Sequence, residues 1–268
     1  MNRRKLEPPR GVLWTAVADP RRYRQARYHP SADLVPYVEH YWTVEWDLRG
    51  RQPERVETLP HPSVHLIFEG ERKSRIMGPA RRFSTLLEGR GGVFAVKFTP
   101  GGFHPFAGAP VARFTEKTVK IREVFGGPGD ALVRAILAQR DDQPRIDIVE
   151  SFLRGRRPEP DETAVRITRL VYAVAQEREI VKVQDLVQRS GLGARTLQRL
   201  FGKYVGVSPK WVIQRYRLHE AAEQLAKRGT VSLAELALDL GYSDQAHFAR
   251  DFKAIVGTSP AAYARAAR

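Results

Sequence analysis

The chain has no cysteine, two methionines, and no apolar run approaching the roughly 18 residues a membrane span needs. Without thiols there is no disulfide, no thiolate nucleophile and no cysteine-based zinc site, and the pattern suits a reducing cytoplasm. The opening MNRRKLEPPR is charged but has no apolar stretch behind it, so no secretory signal is expected. Acidic residues are also scarce: 30 Asp and Glu against 45 Lys and Arg give a net charge of +15 over 268 residues. That excess favours a polyanionic partner. It is spread along the chain, +9 over 1–160 and +6 over 161–268, and is densest at Arg3, Arg4, Lys5, Arg10, Arg21, Arg22, Arg24 and Arg27. With 42% hydrophobic and 28% charged residues, the composition is that of a globular protein long enough for two domains.

An α+β organisation is expected, β-rich first and helical after. WTVEWDL alternates, with Trp42, Val44, Trp46 and Leu48 on one face and Thr43, Glu45 and Asp47 on the other. VHLIFEG (64–70) and VFAVKFTP (93–100) are short, apolar and bounded by Pro or Gly, so a small barrel or sandwich is predicted. Residues 130–153 read as one or two helices. RGRRPEPDET (154–163), with two prolines and no apolar residue, is the expected linker between an N-terminal domain (1–153) and an all-α C-terminal domain (164–268).

The helical region repeats itself. SGLGARTLQRLFGKYVGVSPKWV (190–212) aligns with LGYSDQAHFARDFKAIVGTSPAAY (240–263), Gly191 answering Gly241 at an offset of 50. After one extra residue the offset is 51, pairing Leu197 with Phe248, Arg199 with Arg250, Phe201 with Phe252, and Gly206 with Gly257. Each copy has the parts of a helix-turn-helix: a short helix (183–190 or 233–240), a glycine turn, and a second helix of about twelve residues closed by glycine. Ser232 and Glu235 make a capping-box pattern.

Helical phase divides the second helices. Leu197, Leu200, Phe201 and Tyr204 share one side of the first, leaving Arg195, Gln198, Arg199 and Gly202 on the other. In the second, Phe248, Phe252 and Ile255 point inward, while Ala246, Ala249, Arg250 and Lys253 point outward and Gln245 stands at the exposed N-terminal end. Arg and Gln pair with guanine and adenine edges, and small residues permit close approach or contact with a thymine methyl. Thr196, Lys203, His247 and Lys253 flank these faces and suit phosphate contact. The joining helix, capped by Ser208 and Pro209 and expected to end at Gly229, is a rod of roughly 30 Å. Successive major grooves on one side of B-DNA lie about 34 Å apart, so such a rod suits two adjacent grooves. Trp211, Ile213, Tyr216 and Leu225 on it are expected in the core.

LQRLFGKYVGVSPKWVIQRYRLHEAAEQL followed by AELALDLGYSDQAHFARDFKAIVGTSPAAY resembles the DNA-binding domain of AraC/XylS-type bacterial transcription regulators, over about 165–265. The resemblance implies two subdomains on double-stranded DNA and activation of transcription through RNA polymerase. By position it carries base contact to Arg195, Gln198 and Arg199, and to Gln245, Ala246, Ala249 and Arg250. The alanines at 246 and 249 give the second helix fewer hydrogen bonds to offer.

LVPYVEHYWTVEWDL, LPHPSVHLIFEG and GVFAVKFTPGGFHPFAG resemble an N-terminal domain type found on some such regulators. A small-molecule effector pocket is expected around Trp42, Trp46, Phe94 and Phe98, with Phe103 adding to the aromatic load, and a homodimer would pair two DNA sites. His40, His61, His65 and His104 invite a metal reading, but Pro62 breaks the strand between His61 and His65 and no carboxylate falls at useful spacing, so neither metal nor cofactor is expected. TPGGFHPFAG lacks the Lys-Ser/Thr of a phosphate loop and reads as a turn. Two alternatives stand beside a regulator: an architectural, weakly specific DNA-binding protein, and a metal-dependent barrel enzyme fused to a DNA-binding module. Methyl transfer to a cysteine is excluded, and no enzyme activity is expected.

Overall fold

The computed structural model describes residues 22–156, 158–159, 161–226 and 232–266. Most of the N-terminal arginine cluster and the expected helix end at Gly229 lie outside them. The β-rich part contains β1 (Tyr23–Tyr28), β2 (Val38–Leu48), β3 (Glu54–Thr58), β4 (His65–Phe68), β5 (Arg75–Met77), β6 (Phe83–Leu87), β7 (Gly89–Phe98) and β8 (Thr118–Lys120). Six form an antiparallel sheet in the order β1-β2-β7-β4-β5-β8, and β3 pairs with β6 as a separate ribbon. After β7 come the short helix α1 (His104–Ala107) and then α2 (Ile121–Leu137) and α3 (Asp142–Arg154), the two helices of the 130–153 region. Gly126 takes φ +62° inside α2, with Pro128 two residues on, and kinks it.

The strand period of two gives the large sheet two different faces. On one, Tyr41, Leu66, Phe68, Ile76, Phe94 and Val96 pack against Ile121, Leu132, Ile136, Ile146 and Val149 of α2 and α3. On the other, Tyr23, Trp46 and Leu48 meet Leu87 and Val56 of the ribbon. The same face also carries His40, Trp42, His65 and Lys97, toward the helical half. A sandwich-like β domain followed by helices is the architecture expected from the sequence.

The helical half holds α4 (Glu162–Gln176), α5 (Val183–Ser190), α6 (Ala194–Tyr204), α7 (Pro209–Ala226), α8 (Leu233–Asp239), α9 (Gln245–Val256) and α10 (Pro260–Ala266). It has two cores. Ile167, Val171, Leu186, Leu197, Phe201, Val212 and Ile213 form the first; Leu218, Ala221, Leu225, Leu236, Phe248, Phe252 and Tyr263 form the second. The helix α7 is threaded through both.

The halves meet closely. Gly101 NH donates to Thr168 Oγ1 at 3.0 Å, and a Cβ at Gly101 would lie 2.6 Å from the Ala164 carbonyl, so only glycine permits this approach of α4. Tyr172 OH donates to Glu39 (3.3 Å), which also pairs with Lys97 at 2.7 Å. From the β side, Leu59 enters the second helical core, 2% exposed.

Candidate nucleic-acid interface

The first helix-turn-helix is α5–α6. Asp185 accepts from the amides of Val181 and Lys182 at the start of α5 (2.9 and 2.7 Å), and Gly191 turns the corner at φ +68°. The inward residues of α6 are buried: Leu197 and Phe201 fully, Tyr204 nearly so, with Leu200 partly covered. Tyr204 OH donates to Asp161 Oδ2 at 2.8 Å, while Asp161 Oδ1 accepts from Ala164 NH at 3.0 Å and caps α4. Burial would raise the Asp161 carboxyl, but the Tyr204 hydroxyl and the α4 amides outweigh it and hold its pKa below the usual value. One carboxylate thus ties the first recognition helix to the helix behind it. Arg195, Gln198 and Arg199 are exposed on the opposite face. Half-buried Lys203 holds its ammonium 4.8 Å from the Tyr204 ring centroid.

The second unit, α8–α9, is built the same way. Ser232 Oγ accepts from Glu235 NH (3.3 Å), Gly241 turns at φ +79°, and Asp244 caps α9 by accepting from His247 NH at 2.7 Å. That bond, with one from Ser243, depresses the Asp244 pKa. Phe248 and Phe252 are fully buried, as expected, but the third anchor is Val256 at 2% exposure; Ile255 is only partly covered. Gln245, Ala246, Arg250 and Lys253 are exposed, and Ala249 is half-exposed. His247 shares Nδ1 with Ser243 Oγ at 3.2 Å and has Nε2 3.8 Å from Asp251.

Charge pairing separates these cations from several others. Arg154, Arg178, Arg189 and Arg217 are each held by a carboxylate at 2.7–3.1 Å. Among the described residues, no carboxylate holds Arg195, Arg199, Arg250 or Lys253. Two helices at equivalent places in a repeat therefore present free cations outward.

On α7, Ile213 and Leu225 are buried and Trp211 and Tyr216 partly so, in keeping with a core role. Sequence reasoning missed Arg215, Arg217 and His219, which are buried as well. The signal available was their placement: interleaved with Val212, Ile213, Leu218 and Ala222, they leave this stretch of α7 without a polar face. Arg217 Nη2 donates to the carbonyls of Val174, Glu177 and Ile180 and closes the end of α4.

The proposed effector residues do not converge. Phe98 is in the core against Phe103 (5.1 Å between centroids), because the Phe94–Val96–Phe98 side of β7 faces α2 and α3. Trp42 lies on the other face and donates from Nε1 to His65 Nδ1 at 3.3 Å. Trp46 and Phe94, from opposite faces, both border a cleft of about 440 Å³ at the sheet end, with Phe68, Arg90 and Arg145, where the Trp46 ring lies over Gly91 so closely that a Cβ there would stand 2.4 Å from it. A groove of about 1210 Å³ runs past Tyr37, Asp161, Arg166 and Arg199. His40 and His65 flank Lys97 on the sheet, His65 meets Trp42 and His61 stacks on His219, while His104 lies apart on the Tyr204 ring at 4.5 Å. Among the described residues no group of three or more His, Cys, Asp or Glu is placed to hold a metal ion. The glycine-rich segment turns at 100–103, as expected, but its second half forms α1.

Two helix-turn-helix units on one joining helix, each with an exposed, basic second helix, define a tandem helix-turn-helix DNA-binding protein. A helix-turn-helix domain model matches residues 186–266, and a domain of unknown function (DUF6597) matches 26–120. The chain is 34% identical over 88 residues to the probable transcription factor PqrA of Proteus vulgaris, covering 33% of this chain and 71% of that one. It is 32% identical over 80 residues to the HTH-type transcriptional regulator ExsA of Pseudomonas aeruginosa, 30% of this chain and 28% of that one. A solved AraC-type regulator from Chromobacterium violaceum matches 38% of this chain and 91% of its own, at 23% identity and a TM-score of 0.35. The chain belongs to the AraC-type helix-turn-helix transcription regulators. The match spans about 28% of the length of ExsA, and the shared part is the helical half. No helix among the described residues is long and apolar enough to cross a membrane.

Proposed function

We propose that this chain is a sequence-specific transcription regulator that places α6 and α9 in successive major grooves of one duplex. The observation that carries this reading is the equivalent placing of Arg199 and Arg250, both exposed and free of carboxylates among the described residues. Arg195, Gln198 and Arg199 read the first half-site; Gln245, Arg250 and the small Ala246 and Ala249 read the second, while Lys203 and Lys253 hold phosphates. The DNA-binding unit is 164–268, joined through 154–163 to a sensing unit, 1–153, in which the cleft beside Trp46 and Phe94 takes a small-molecule effector. Contact with RNA polymerase, and pairing of two chains, complete the reading.

Binding to a site selected from random DNA, compared with an unrelated duplex at the same salt, tests it. A regulator favours its site by about 10³-fold or more. Near-equal affinities with a steep salt dependence would mean an architectural protein instead.

A further inference from the structure

The two helical cores are joined by α7, and beside it the Gly241 turn of the second unit lies against Val181, which a Cβ at Gly241 would approach to 2.8 Å. The buried residues of the first core run along α7 to Ile213, with Tyr216 packed against them, and those of the second begin at Leu218. Between them the turn Gln214 to Arg217 carries two arginines, both buried. A cleft of about 250 Å³ opens beside it, lined by Val181, Gln214, Tyr242 and His247. Gln214 Nε2 bonds Asp251 across it at 3.3 Å. That turn is held by polar side chains rather than by a core of its own: Arg217 bonds the end of α4, and Arg215 reaches the β-rich domain.

The β-rich domain bridges this turn. Arg215, at its centre, is 1% exposed and donates from Nη2 to the carbonyls of Ala80 (3.3 Å) and Arg81 (2.7 Å), with its guanidinium 4.4 Å from the Trp211 ring centroid. The glycines that close the two recognition helices, Gly206 and Gly257, occupy equivalent places in the repeat, and both adopt φ +90°. Each lies against the β-rich domain. A Cβ at Gly206 would stand 2.9 Å from Val111 and 3.0 Å from Thr115 Oγ1, and Thr115 Oγ1 donates to the Gly206 carbonyl at 2.6 Å. A Cβ at Gly257 would stand 2.6 Å from the Arg82 guanidinium, which is itself held by Glu57. The β-rich domain therefore touches the ends of both recognition helices and the turn between them.

We infer that the β-rich domain acts as a splint that sets the distance and angle between α6 and α9, so that Thr115, Arg82 and Arg215 determine the half-site spacing the protein accepts. This rests on the DNA-reading function proposed above. One inserted base pair turns the second half-site by about 35° and shifts it by about 3.4 Å, which splinted helices cannot follow and hinged ones can. Thr115, Arg82 and Arg215 touch no base in this scheme; they are positioning residues.

The test takes the full chain and its selected site, and measures affinity as one base pair is added or removed between the half-sites. Wild type should lose about tenfold or more per step. The double variant Thr115→Val/Arg82→Ala should bind the best spacing nearly as well but lose only about threefold per step, with base preference inside each half-site unchanged. Thr115→Val keeps the side-chain shape, and the Arg82 side chain is 40% exposed, so a melting curve should show the double variant folded; should it not, Arg82→Ala alone carries the test. Superimposable spacing profiles for folded variant and wild type would overturn the splint and leave DNA reading intact. A wild type that selects no two-part site would overturn DNA reading itself.

Discussion

His61, from the loop before β4, and His219, on α7, stack with ring centroids 4.4 Å apart and planes 15° apart. The pair sits at the joint between the β-rich domain and the helices, beside Tyr216, with Lys97 and Arg215 near enough to oppose a further positive charge. Two stacked imidazoles tolerate at most one proton, and burial tolerates none well.

Acid should therefore loosen the joint. Burial, then neighbouring cations, lowers the pKa of His219 to about 3 and of His65 to about 3, and takes His61 well below its usual value. Below about pH 6.5 the unfolded chain binds protons that the folded chain refuses, so stability falls as pH falls, and it levels off above 6.5. Each such histidine costs about 1 kcal/mol by pH 5.5. Melting temperatures between pH 7.5 and 5.5 check this: they should drop steadily below 6.5, and His219→Gln should flatten the slope. A flat profile over that range would mean that these rings are protonated in place.

Lys253→Ala should weaken binding to every duplex alike and reduce the slope of log affinity against log salt by about 1. Lys203→Ala should do less, because its ammonium already rests on the Tyr204 ring. Titrations at three salt concentrations on selected and unrelated DNA separate the outcomes. A sequence-dependent loss for Lys253→Ala would make it a base reader.

Gly101→Ala should destabilise the whole chain by about 1–3 kcal/mol, since the new methyl meets the Ala164 carbonyl and Thr168 Oγ1 at 2.6 and 2.8 Å. Denaturant unfolding measures it. Gly202→Ala, on the exposed side of α6 with open space around the new methyl, should be neutral or slightly stabilising. Equal effects at the two sites would mean that α4 does not pack against the 101–102 turn.

Much of the helical half was legible because its determinants are local. Gly191, Gly206, Gly241 and Gly257 mark the turns and ends, Ser232 and Ser208 mark starts, and the 3.6-residue period sorts Phe248 from Arg250. Asp161 and Asp244 acquire their capping roles from the same local chemistry. The joint between the halves was not legible. The interleaving on α7 marks Arg215 and His219 as buried but not what they meet, and only the fold brings the Ala80 and Arg81 carbonyls to Arg215 and His61 to His219. The β-rich half lay between these extremes. Alternation placed Trp42 and Trp46 on one face, but strand order alone puts the ribbon over Trp46 and leaves Trp42 to His65. Phe94 and Phe98 of β7 pair with Thr43 and Val38 of β2 and so face away from Trp42 and Trp46, a distinction set by register and invisible to composition.

The most direct test is selection from random DNA with wild type, Arg199→Ala and Arg250→Ala in parallel. Wild type should return two conserved blocks centred about one helical turn apart. Arg199→Ala should blur one block and Arg250→Ala the other, each costing about 1–3 kcal/mol on the wild-type site. A single block, or two variants that lose affinity equally for all sequences while keeping the wild-type motif, would contradict a protein that reads two grooves with two helices.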